Sequence, residues 1–465
     1  MRQASVVIVG GGFSGAAVAF HLAKAEVNAQ IAVVEPRALL GAGLAYDGAD
    51  PAHRVNVPAS RMSLLPDDEG HFARWLEASG ELDGDPEARV GGEAYPQRRL
   101  FGRYVDAALR PFVAAGRVRH VRDRVIALER AGGGWRARTA GGISLGAPFA
   151  VIATTHPPAG LPPPLARFRD DPRLIADPLA DGALDGVEPQ ARVLIVGAGL
   201  TAADALASFH ARGHEAPVTM MSRRGLRARG HPLEPLAAEG DFASAPAARA
   251  TELLARVRRA VAEAAAEGRS WHPVFDALRI QGGDVWRGLE ADARRRVVRH
   301  LRPYWDVHRF RLAPQIDAIL ERRLNEGSLV QRRARLGAVA SEGRGLAVEM
   351  LDLRRGEASR EVFDRVVVAT GPAHGAVLAW QPFLGALADA GALAPDPAGL
   401  GLHTTRDAQA VAANGEADPT LFIAGPLARG TFGELMGLPH VAAYAKFVAD
   451  RIAAAMRRGL RGGAN

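Results

Sequence analysis

The sequence predicts an α/β protein built from two copies of one strand–glycine turn–helix unit, the second copy carrying a helical insertion. Three observations predict it. SVVIVGGGFSGAAVAFHLA, from Ser5, reads as a β-branched strand, a Gly10-x-Gly12-x-x-Gly15 turn and an alanine-rich helix. ARVLIVGAGLTAADALASF, from Ala191, repeats that order with Gly197-x-Gly199-x-x-Ala202. The downstream elements repeat as well: a glycine-broken meander (116–142, then 327–353) and an apolar strand ending in an Ala-Thr step (147–155, then 363–371). A chance glycine cluster would not carry its neighbours along, so the pattern is an internal duplication.

In the first turn Gly10 permits the bend, Gly12 lets backbone approach a phosphate, and Gly15 lets the helix pack close to the strand. Phe13 and Ser14 then open the helix, whose free N–H groups face an anion. Glu35, followed by Pro36, ends the next strand twenty residues after Gly15, where a carboxylate accepts hydrogen bonds from ribose hydroxyls. The second turn places Leu200 and Thr201 at the helix start. Equal counting from Ala202 reaches Ser222, followed by Arg223 and Arg224. A carboxylate there would repel a 2′-phosphate, whereas a hydroxyl and two guanidiniums would hold it. Two Rossmann-like dinucleotide-binding domains follow, the first suited to FAD and the second to NADPH. That pairing points to an oxidoreductase in which NADPH delivers hydride to a held flavin.

The Pro-rich stretch THPPAGLPPPL (155–165) reads as the linker, since proline fits neither a helix interior nor a central strand. The expected FAD-binding domain is therefore 1–158 with 365–465, and the NADPH-binding domain is 190–364. Helical patterning without counterpart in the first copy marks an insertion at about 236–325, and HVAAYAKFVADRIAAAMRRG (440–459) is a C-terminal helix.

Composition narrows the function. The chain has 465 residues, 48% hydrophobic and 23% charged, as expected of a globular protein of more than one domain. It has no cysteine, which excludes disulfide-reductase chemistry and thiolate metal sites. Its fourteen histidines show no metal-ligand spacing. The net charge of +7 comes almost wholly from arginine, since Lys24 and Lys446 are the lysines, and it is spread along the chain without a basic-aromatic patch. Nucleic acid is therefore not expected as a partner. No signal segment or run of about eighteen apolar residues is seen, so a cytoplasmic location without a membrane span is the expectation.

The chain resembles the two-dinucleotide-binding-domain flavoproteins, and among them a family of FAD/NAD(P)-binding proteins. The resemblance runs essentially full length. It rests on GGGFSG (10–15), VNVPASRMSLLPDDEGHFARWL (55–76), RRLFGRY (98–104), GAGLTAADAL (197–206), SRRG (222–225), RPYWDVHRFRLAP (302–314), ATGP (369–372) and PLARGTFGEL (426–435). The wider group includes flavin-dependent N-hydroxylases and Baeyer–Villiger-type monooxygenases. The resemblance implies a monooxygenase in which reduced FAD reacts with molecular oxygen while NADP⁺ stays bound, acting on a small amine or amino-acid-like substrate. Two other readings stay open: a reductase passing electrons to a quinone or partner protein, and a non-catalytic nucleotide-binding protein. Three departures stand out: Thr155 follows Ala153-Thr154 where many relatives have glycine, Pro426 follows Gly425 where many have aspartate, and no F-x-G-x-x-x-H-x-x-x-W motif occurs.

By the same resemblance the 53–67 loop passes the flavin ring, making Asn56 a catalytic candidate and Met62 and Ser63 cofactor contacts, as are Val125 and Gly425. Arg61 belongs to the same candidate loop. In PYWDVHRFRLAP, Trp305, His308 and Arg309 fall at i, i+3, i+4 spacing, which places them on one helical face. That face is expected over the cleft, with His308 as a second catalytic candidate. The alternative pairs Arg309 with Asp306 and leaves His308 as a satisfied surface histidine.

Overall fold

The computed structural model describes residues 2–25, 27–232, 234 and 236–462, and the other positions of the expected domain spans lie outside the described residues. Two parallel sheets dominate. The first has the order Gln409–Val411, Ala417–Ile423, Phe149–Ile152, Val6–Val9, Ile31–Val34 and Val118–Val121. All its pairings are parallel except the edge hairpin of Gln409–Val411 with Ala417–Ile423. The second runs Leu174–Ile175, Arg365–Val368, Val193–Val196, Val218–Ser222, Leu329–Glu342, then Gly345–Asp352 and Ala358–Phe363, the last two antiparallel.

The two sheets share one plan. Val6–Val9 and Val193–Val196 each lie between the strand that follows their helix and the strand that ends in Ala-Thr. Both are four apolar residues buried throughout, as parallel strands covered on both faces must be. The covering differs. Helix Phe13–Lys24 packs on the C-terminal helix His440–Gly462, whereas Leu200–Ala211 packs on Pro314–Asn325 at the end of the insertion. The meanders differ too. Val125–Ala131, Gly134–Thr139 and Ser144–Ala147 join Arg2–Gln3 in a separate sheet, but the second meander grows directly out of the long Leu329–Glu342 strand.

The insertion is helical, with Ala250–Ala266, His272–Ile280, Gly282–Gly288, Ala291–Arg296 and Arg302–Arg309 around their own core of Phe242, Val274, Leu278, Val285, Trp286 and Leu289. The Pro-rich stretch runs into a 3₁₀ helix at Pro163–Phe168. Prolines occupy its first turn, where the missing N–H would be unpaired anyway. Among the described residues no helix is long and apolar enough to cross a membrane.

Candidate nucleotide cleft and its inner end

Both glycine turns open into one cleft of about 1720 Å³. At each turn the first glycine meets the Ala-Thr strand. Gly10 has φ +98°, and a Cβ on it would lie 2.7 Å from the Ala153 carbonyl oxygen. Gly197 has φ +133°, and its Cβ would lie 2.0 Å from the Ala369 carbonyl oxygen. The repeated Ala-Thr step is thus the floor on which each turn sits. Gly15 is closed by helix–strand packing, since its Cβ would fall 1.9 Å from the Gly10 carbonyl oxygen. Gly12 and Gly199 instead line the cleft; a Cβ on Gly199 would meet nothing within 4 Å. Neither helix has a side-chain N-cap, so the first-turn N–H groups are left for an anion.

Glu35 is buried and well oriented. One carboxylate oxygen accepts the Gly11 N–H at 2.9 Å; the other accepts the Arg37 N–H at 3.1 Å and pairs with the Arg37 guanidinium at 2.9 Å. It ties the glycine turn to the second strand and faces the cleft beside Pro36 and Val125. Phe13, Ser14, Asn56 and Met62 also line the cleft, as do Leu200, Thr201, Ser222, Arg223 and Arg224. Asn56 is held from both ends: its Nδ2 donates to the Arg311 carbonyl at 3.3 Å, and its own carbonyl is 3.0 Å from His231 Nε2.

Four expected roles change. Ser222 Oγ donates to the Leu226 carbonyl at 2.9 Å, so its proton closes a turn. Ser63 lies behind the wall, its hydroxyl accepting the Leu65 N–H at 2.9 Å. Gly425 packs against Ser14, where a Cβ would lie 2.3 Å from Oγ, and Pro426 takes the place on the cleft wall. His308 turns away from the cleft: it stacks on Phe275 at 4.5 Å and meets Trp271 edge-on at 4.7 Å. Trp305 follows it toward Phe275, while Arg309 leaves that face and is bound to Glu434 at 2.6 Å, not to Asp306.

Several cleft residues escaped the sequence reading. Arg98 spans from the first unit to Asp204 of the second nucleotide helix at 2.8 Å, with both side chains largely buried. Arg335 lines the wall beyond Arg223 and Arg224. Arg302, Asp306 and Arg429 also line the cleft. Burial raises the Asp306 carboxyl to about 6 against the opposing pull of Arg302 and Arg429. Burial also pushes Glu434 up, but Arg309, His440 and Arg279 outweigh it and hold that carboxyl below its ordinary value. Arg429 and Glu434 lie in PLARGTFGEL, a segment already conspicuous in the sequence.

Residues 7–157 match the family model described as FAD-NAD(P)-binding. No curated protein gives a significant match to the sequence. Among solved structures, the reduced form of the ornithine hydroxylase of Pseudomonas aeruginosa is similar over 98% of this chain and 100% of its own, with TM-score 0.63 at 16% identity. The ornithine N-hydroxylase of Kutzneria sp. 744, with reduced FAD, NADP⁺ and L-ornithine, gives TM-score 0.65 at 18% identity, covering 98% of this chain and 100% of that one. Thioredoxin reductase of T. acidophilum is more distant, at TM-score 0.52 and 13% identity over 98% of this chain and 100% of its own. The chain therefore carries an FAD/NAD(P)-binding domain over residues 7–157 and, as a whole, has the fold shared by flavin N-hydroxylases and thioredoxin-reductase-like flavoproteins.

Proposed function

We propose that the protein is an FAD-dependent, NADPH-consuming monooxygenase acting on a small amine or amino-acid-like substrate. The observation that carries this reading is that two unlike nucleotide turns, one ending at Glu35 and one at Arg223-Arg224, open into a single cleft. A hydride donor and its acceptor then share one cavity, as direct transfer requires. Gly10, Gly12 and the first helix N-terminus would hold the FAD pyrophosphate, with Glu35 on the ribose. Gly197, Gly199, Leu200 and Thr201 would hold that of NADPH, with Arg223 and Arg224 on the 2′-phosphate. When bound, FAD would supply the redox chemistry by which substrate, NADPH, a proton and oxygen give hydroxylated substrate, NADP⁺ and water. The protein's part is to hold the two cofactors, exclude water and orient the substrate. Asn56, fixed between Arg311 and His231 and lining the cleft, would be a polar group of the 53–67 loop available for this.

The absence of cysteine removes the thiol–disulfide route open to reductases of this fold. A cytoplasmic location goes with the reading, since NADPH is supplied there. The test is stoichiometry. The FAD-loaded protein is supplied with NADPH and oxygen across a panel of amines and amino acids. Hydroxylated product, hydrogen peroxide and NADPH consumed are measured together. Product matching NADPH for one class of compound supports the monooxygenase. Peroxide matching NADPH throughout, with fast reduction of an added quinone, replaces it with the electron-passing reductase.

A further inference from the structure

One part of the cleft wall is rich in guanidiniums, and among the described residues one of them makes no hydrogen bond and no ion pair. Arg302, Asp306 and Arg309 come from the Arg302–Arg309 helix, and Arg429 opens the short Arg429–Phe432 helix. All four line the cleft. Most charges around them are answered. Arg309 donates through Nε and an η nitrogen to Glu434, with both side chains under one-tenth exposed. Asp396 accepts the Ala398 and Leu400 N–H groups. Arg279 donates to the Leu438 carbonyl.

Arg429 is the exception. It is 7% exposed, and among the described residues its guanidinium makes no hydrogen bond and no ion pair. Arg302 is little better served: among the described residues its buried Nε has no hydrogen-bond partner and lies 3.6 Å from Asp306. His156, buried beside both guanidiniums, is held neutral by that burial and by their charge, so it adds no compensating ion. Two guanidiniums thus face one carboxylate, Asp306. A buried cation without a partner is costly, and an arginine carries five N–H donors in a planar fork that fits a carboxylate. A feature that costs stability and lines a cleft is accounted for when a ligand completes it.

We propose that Arg429, with Arg302 beside it, receives a carboxylate carried by the substrate, so that the substrate is a carboxylic or amino acid and not a simple amine. The proposal rests on the oxidoreductase reading of the same cleft and narrows its substrate class. Asp306 lies within reach of Arg302 and supplies the opposite charge next to the receptor, which suits an ammonium on the same molecule.

The test uses the oxidised, FAD-loaded protein without NADPH, so it does not depend on oxygen chemistry. Butyrate, butyramide and butylamine are titrated, and binding is read from the flavin absorbance. Butyrate is expected to bind at least about tenfold more tightly than butyramide, the worth of one charge-assisted hydrogen bond. Arg429→Met should erase that preference, Arg302→Met should reduce it, and Arg429→Lys should keep part of it. FAD content and Tm are followed in parallel; should Arg429→Met fail to fold, Arg302→Met and Arg429→Lys decide. Equal binding of butyrate and butyramide to the wild type overturns the proposal. So does an Arg429→Met variant that shifts the flavin potential yet keeps the butyrate preference, since the guanidinium would then serve the flavin. Peroxide-only turnover would overturn the monooxygenase and leave this result standing.

Discussion

The proposed preference for NADPH over NADH rests on a turn whose geometry gives the size of the expected effect. Ser222 ends its strand and donates to Leu226, bending the chain over Gly225, which has φ +66°. Arg223 is exposed and Arg224 half-buried, both line the cleft, and among the described residues neither forms an ion pair. Arg227, three residues on, is by contrast bound to Glu321. A charge-assisted hydrogen bond from a partly exposed arginine to a phosphate is worth about 1–2 kcal/mol, below the range for buried sites because water screens it. Replacing both with alanine should therefore cost NADPH about 2–4 kcal/mol, or roughly 30- to 900-fold in kcat/KM. NADH lacks the 2′-phosphate and should lose no more than about twofold. The assay is anaerobic flavin reduction followed over a range of each nucleotide at low and high salt. The NADPH preference of the wild type should itself shrink as salt rises. Equal losses for NADPH and NADH would refute the reasoning and return the arginines to a solvated loop.

Three other perturbations separate roles that look alike in sequence. Gly12→Leu places its Cβ 3.4 Å from Gly43 Cα, which the backbone tolerates, but projects the side chain into the phosphate cradle; the variant should fold with a near-normal Tm and lose the yellow colour, whereas Gly15→Val, whose Cβ meets the Gly10 carbonyl oxygen at 1.9 Å, should fold poorly. A fully loaded Gly12→Leu protein would end the FAD assignment of this turn. Burial, then Arg429 and Arg302, hold His156 down to about 4, while the unfolded chain protonates it near 6.5. Its contribution is thus complete above pH 6.5 and lost as pH falls toward 4, by about 3 kcal/mol at most; chemical denaturation across that window should show a shallower slope in His156→Gln, and an unchanged slope contradicts the burial argument. His308→Ala should leave flavin reduction within about twofold and lower stability by about 1–2 kcal/mol through lost ring packing on Phe275 and Trp271; a tenfold fall in flavin reduction would bring His308 back to the cleft.

What local spacing encodes was legible. The glycine turns, Glu35 and the Ala-Thr strands are short-range patterns, and the fold they imply is the one observed. Spacing also said that Trp305 and His308 share a helical face, but not which way the face looks. The Arg302–Arg309 helix packs on the His272–Ile280 helix of the same insertion, and the apolar rings of Trp271 and Phe275 took that face. The cleft received the face carrying Arg302 and Asp306, also a helical i, i+4 pair. This part of the cleft wall was not legible because its parts come from the linker at His156, the insertion at 302–309 and the C-terminal return at Arg429. Their meeting depends on how the insertion folds back over the first unit. In a chain so rich in arginine, composition gives no hint that one guanidinium is buried and, among the described residues, without a hydrogen bond or ion pair.

Duplication explains the two turns, but function requires that they face each other at a fixed distance, and that comes from contacts the duplication does not supply. Arg98 opens a helix of the first unit; it donates to the Arg54 carbonyl at 2.9 Å and grips Asp204 on the second nucleotide helix. Nearby, Ser208 of the same helix donates to Asp50 at 2.8 Å and lies 3.1 Å from His53 Nε2. Asp204 is 2% exposed, so taking away either member of its pair would strand a buried charge, a loss of about 3–5 kcal/mol. Surface bridges between mobile domains are worth far less. The spacing of the two nucleotide sites is therefore fixed by buried polar contacts at the foot of the cleft. Buried charge that holds the two glycine turns in register suits the proposed transfer between two bound cofactors, which a scaffold or sensor with one working site would not need.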